Sequence, residues 1–132
     1  MKLSIRFTAW VMGLGLFMAG CGKNAQIDTS NLASSFQSAP SERKGNVDDA
    51  ITAIGSSDFA AASDSLKKAV KGAQLNPEQK TAVTEAVAEM QKIASQDSDK
   101  YPLQVYYAIG EVITVMEGLP VVRRQTAAPP RP

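Results

Sequence analysis

From Val47 to Ala94 apolar side chains recur every three to four positions, with polar ones filling the gaps. That period lines them along one side of an α-helix rather than one face of a strand. Val47, Ile51 and Ile54 form the first stripe, with Ala50 and Ala53 between them. Its secure part is Asn46 to Ile54, because Gly45 weakens the preceding turn, and Pro40 or Ser41 is placed to start it. Gly55-Ser56-Ser57-Asp58 closes this helix and caps the next, in which Phe59, Ala62, Leu66, Ala69 and Val70 are apolar while Asp64, Lys67, Lys68 and Lys71 face water. After a break at Gly72 to Asn76, Asn76-Pro77-Glu78-Gln79 supplies an N-cap side chain, a proline in the first turn and a glutamine at the capping-box position. The helix it opens runs to about Ser95, with Val83, Ala86, Val87, Met90, Ile93 and Ala94 on its apolar side.

The flanking segments are less regular. Thr29 or Ser30 starts a short helix in which Leu32 and Phe36 meet four residues apart, too short to stand alone and therefore a flap over the core. Gln96 to Lys100 is a polar loop; its Asp97 and Asp99 lack the longer oxygen-rich series, glycine and glutamate of a calcium-binding loop. Between Tyr101 and Gly118, Val105, Ile109, Val112 or Ile113, and Met116 fit a helix started by Pro102. Leu103, Val105, Tyr107 and Ile109 also alternate, however, and Gly110-Glu111 fits a hairpin turn. We expect the helix, because an isolated hairpin is marginal in water and a fourth helix would seal the groove left by three. Beyond Gly118-Leu119-Pro120 the tail is proline-rich and basic, and cannot bury enough apolar surface to order itself. Its Arg123, Arg124 and Arg131 are expected to be loosely attracted to anionic lipid or cell wall.

The expected fold is thus all-α: a small antiparallel helical hairpin or bundle of three to four helices, residues 40–118, with a flexible tether carrying the short helix at 21–39 and a tail at 119–132.

Residues 1–20 change the picture of where this domain sits. Lys2 and Arg6 precede an uncharged apolar run from Phe7 to Met18, built like an export signal and interrupted by Gly13 and Gly15, too short for a stable span. The run ends in Met18-Ala19-Gly20-Cys21, which contains the sole cysteine of the 132-residue chain. This stretch resembles the lipobox of bacterial lipoproteins, with Met18 where the family more often has leucine. The resemblance implies cleavage between Gly20 and Cys21, acylation of Cys21 by chains such as palmitate, and anchoring in the cell envelope. Gly22 in place of aspartate implies the periplasmic side of the outer membrane if the organism has two membranes. Two or three acyl chains, at about 0.8 kcal/mol per buried methylene, anchor firmly.

Charge and composition then remove function classes. Lys2 and Arg6 leave with the leader, so fourteen basic residues fall to twelve against thirteen acidic ones, and the net charge moves from +1 to −1. Such a balance gives no footprint for nucleic acid. No histidine is present, which removes the commonest general base and zinc ligand. One cysteine permits no internal disulfide, so apolar packing must supply the stability. Ser65 and Lys68 have the spacing of a serine–lysine pair but fall on a solvated helix, and carboxylate pairs such as Glu85 and Glu89 read as surface. No metal, cofactor or catalytic constellation is expected.

Asp58-Phe59-x-x-Ala62-x-x-x-Leu66-x-x-Ala69 is similar to the second helix of a tetratricopeptide unit, where alanines let paired helices approach closely. The resemblance covers roughly residues 46–94 and implies a helical hairpin. Asn46 and Ala50 stand where that family has its large aromatic and glycine, and no second copy of the pattern follows, whereas stacks usually need about three units. The expected function is a lipid-anchored, non-catalytic protein-interaction module with an envelope protein as partner and Phe59, Leu66, Tyr106 and Tyr107 as the interaction face. The alternatives are a carrier holding an apolar ligand between Val83, Val87, Ile109 and Ile113, with the Tyr106/Tyr107 region as its mouth, and a structural spacer.

Overall fold

The computed structural model describes residues 26–121, all helix and connecting turn, with no strand among them. The lipobox residues Met18 to Cys21 and the tail arginines lie outside the described residues. Five helices follow in order: α1 (Ser30–Ser35), α2 (Ser41–Gly55), α3 (Phe59–Val70), α4 (Pro77–Gln96) and α5 (Leu103–Met116). The small all-α bundle expected from the stripes is the fold observed.

The boundaries follow from local chemistry. Asn76 and Gln79 form the full capping box, each side chain bonded to the other's backbone N–H at 2.8 and 3.1 Å. Asp58 caps α3 by accepting from the Ala61 N–H at 3.0 Å. Two helices end in the same way. The N–H groups of Ser57 and Asp58 reach back to Ile54 and Ala53, and those of Gly118 and Leu119 to Val115 and Thr114. This paired closure requires a left-handed residue just past the helix. Gly118 takes that conformation freely at φ 69°, whereas Ser57 takes it at φ 60° with a side chain.

Three details sharpen the sequence reading. The first half of α2 is helical through Gly45, so the helix spans Ser41–Gly55, starting where Pro40-Ser41 is placed to start it and extending beyond the secure part Asn46–Ile54. One exposed glycine costs only about 1 kcal/mol, less than the packing of Val47, Ala50 and Ile54 supplies. The stretch after Pro102 is a helix, as expected, although Pro102 is its cap rather than its first residue. The short helix, grouped above with the tether, belongs to the core: Leu32 is 1 % and Phe36 0 % exposed.

α2 and α3 form one hairpin and α4 and α5 the other, and the hairpins join through α3 and α5. Two contacts fix the sense of that junction. Phe59, which opens α3, stacks on Tyr101, just before α5, with ring centres 4.6 Å apart. Near their far ends, Lys67 of α3 bonds Glu111 of α5 at 3.3 Å. The two helices therefore run parallel, and α4 is the return crossing. The principal neighbours of α4 are α5 and α1, while α1 also touches α2 and closes the ring. α5 thus occupies the side of α3 that α4 would take in a simple succession of hairpins.

Candidate functional site

The bundle has two ends. At one lie the α2–α3 turn, the α4–α5 loop and the start of the described chain. Gln26, Ile27, Ser57, Phe59, Gln96 and Tyr101 border the same open cleft of about 710 Å³. At the other lie the start of α2, the turn between α3 and α4, and the end of α5. A second cleft, about 480 Å³, separates α1 from the first half of α4 and is lined by Asn31, Ser34, Ser35, Pro77, Glu78 and Glu85 among others.

The four residues expected to form an interaction face do not share one. Leu66 is 0 % and Phe59 3 % exposed. Leu66 sits in the core, and Phe59 is covered by the Tyr101 ring. Their stripe is real, but α2 and α5 consume it. An amphipathic pattern reports that one side is covered without reporting by what. Tyr106 and Tyr107 are exposed, their rings edge to face at 6.2 Å. Leu103, 62 % exposed one turn earlier on the same face of α5, joins them. The third tyrosine of that cluster, Tyr101, is buried. Val83, Val87 and Ile109 are closed into the core with Ile113 against it, and neither cleft is lined by them.

Sequence reasoning missed Ser63, which lies on the buried side of α3 with no exposure. Its hydroxyl donates to the Phe59 carbonyl at 2.6 Å, so its polarity is spent within the helix. No buried side-chain polar atom among the described residues lacks a partner.

The titratable groups support structure rather than chemistry. Burial alone would lower the Lys67 pKa, but hydrogen bonds and charge from Asp64, 3.0 Å away, and from Glu111 outweigh it and hold the ammonium above the ordinary lysine range. The Ser30 hydroxyl and then the Ser30 N–H hold Asp28 below the usual carboxylate range, tying down the start of α1. Ser65 and Lys68 lie at the partly covered and open edges of α3, as the solvated reading expects.

No group of three or more metal-ligating side chains gathers among the described residues, and no helix there is long and apolar enough to cross a membrane. No family model, curated protein or solved structure matches this chain.

Proposed function

We propose that this chain is a lipid-anchored cell-envelope protein whose helical bundle is a non-catalytic module for contact with another envelope protein. The observation that carries the reading is Met18-Ala19-Gly20-Cys21: the sole cysteine falls where acylation needs it, after two small residues and an apolar run preceded by Lys2 and Arg6. Removal of residues 1–20 leaves Cys21 as the first residue, joined to the bundle by a short connection. The address is the envelope, on the periplasmic side of the outer membrane in an organism with two membranes.

Support for a contact role over catalysis comes from the distribution of polar and apolar groups. The chain lacks histidine, and among the described residues the one buried polar side chain is spent on its own helix and the charged side chains lie on the surface or in a surface ion pair. Apolar surface is instead presented at both ends of the bundle, by Leu103, Tyr106 and Tyr107 at one and by Leu119 and Val121 at the other. Cys21→Ser tests the reading in the native host. The unchanged protein is expected in the membrane fraction, released by detergent but not by high salt, and the variant is expected to lose that behaviour or keep its leader. Identical fractionation of the two proteins with the leader removed from both would remove the basis of the proposal.

A further inference from the structure

We infer that the Leu103, Tyr106 and Tyr107 face of α5 is a second, non-covalent contact with the bilayer interface, which leaves Leu119 and Val121 at the other end as the apolar surface open to a protein partner; the inference rests on the anchoring of Cys21 proposed above. The argument starts from where the described chain begins. Gln26 and Ile27 border the same cleft as Gln96, Asp97, Lys100 and Tyr101, so the chain enters at the end of the bundle where α5 starts. Ile27 packs against the core, which fixes that point of entry. The five steps along the chain from Cys21 to Gln26 reach at most about 18 Å even when fully extended. The 20 residues of α4 separate the two ends by about 30 Å. An acylated Cys21 therefore holds the α5 end within reach of the lipid and excludes a bundle standing on its far end.

At that end the exposed residues suit an interface. Leu103, Tyr106 and Tyr107 are 62 %, 36 % and 61 % exposed and recur at one-turn spacing, so they share one face of the first turns of α5. Ile109 and Val112 point the opposite way, into the core, and leave that face without a partner in the bundle. Tyrosine has an apolar ring and a polar tip, which suits it to the headgroup level of a bilayer, and leucine beside it enters the acyl boundary. Lys100 is next to this face, but Asp97 and Asp99 offset it in the same loop. The contact is therefore driven by apolar insertion and does not depend on anionic lipid.

The chain's single tryptophan, Trp10, lies in the leader, so the processed protein contains none and a tryptophan can be introduced as the only one. Full-length protein carrying Tyr107→Trp, or Gln74→Trp in the exposed turn at the far end, is expressed, purified with its anchor and reconstituted into phosphatidylcholine vesicles brominated on the acyl chain near the headgroup. Both proteins are expected to float with the vesicles, and brominated lipid is expected to quench Tyr107→Trp several-fold more strongly than Gln74→Trp. Flotation with equal, weak quenching of the two would overturn the contact while leaving the anchor intact; it would mean that the face meets water or a second copy of the chain. Failure of the protein to float, or tryptophan emission from unsubstituted protein, would instead refute the processing of Cys21, and the contact with it.

Discussion

Phe36 is the residue whose removal distinguishes a docked first helix from a flap on a tether. It is fully buried at the end of a six-residue helix that cannot persist by itself. Replacing it with alanine deletes a ring from a sealed site, a change that costs about 3–5 kcal/mol where the surroundings relax little. A domain of this size has a total stability of about 5–15 kcal/mol, so the substitution removes a large share of it. With about 4–8 °C of melting temperature per kcal/mol for domains of 60–100 residues, Phe36→Ala is expected to lower the melting temperature by at least about 12 °C. That full loss requires α1 to be part of the cooperative unit. If α1 detached on its own, the loss would stop at its docking free energy, and Leu32→Ala added to Phe36→Ala would cost almost nothing further. Circular dichroism melts of the unlipidated Cys21→Ser chain measure the shift, with Tyr107→Ala as an exposed control. A shift below about 4 °C for Phe36→Ala would refute the placement of α1 in the core.

The remaining predictions concern caps and charge. Asn76→Ala removes the capping box of α4 and is expected to cost about 1 kcal/mol, read as a lower urea midpoint at unchanged slope. Ser57→Gly relieves a left-handed serine and is expected to raise the melting temperature by a few degrees, whereas the same change at Ser56, which is not left-handed, is not. The Lys67 pKa is higher in the folded protein, so its contribution is fully present below the ordinary lysine value of 10.5 and disappears as pH rises through the raised value. Because Lys67 and Glu111 are both partly exposed, that contribution is at most about 1 kcal/mol. Lys67→Met is therefore expected to lie slightly below the unchanged protein in urea midpoint at neutral pH and to converge with it in strong alkali; a gap that widens with pH would contradict the assignment.

The parts of the fold that were legible in the sequence are those decided within a few residues. Asn76-Pro77-Glu78-Gln79 forms its helix start by contacts no longer than three positions, and the stripe from Phe59 to Val70 marks a buried side through its period alone. What was not legible depends on distant neighbours. Nothing local in Phe59 or Leu66 distinguishes a stripe covered by another helix from one left open for a partner, and it is the parallel seating of α5 beside α3 that covers them. Tyr101, Tyr106 and Tyr107 look alike as a cluster, yet the turn before α5 sends the first onto Phe59 and leaves the other two outside. Leu32 and Phe36 were legible as a piece that covers the core, but six residues cannot report that α4 and α2 are what it docks between. Gly45 marked the weak turn of its helix, and the helix runs through it because its cost is small beside the packing of Val47 and Ala50.

The claim on which the functional account depends is the covalent fate of Cys21, and intact-mass and peptide mass spectrometry of protein extracted from native membranes tests it most directly. The account predicts a mature chain that begins at Cys21 and carries a diacylglycerol thioether, with or without a further acyl group on its amine. An unmodified chain beginning at any other residue, or one retaining Met1 to Gly20, would contradict it.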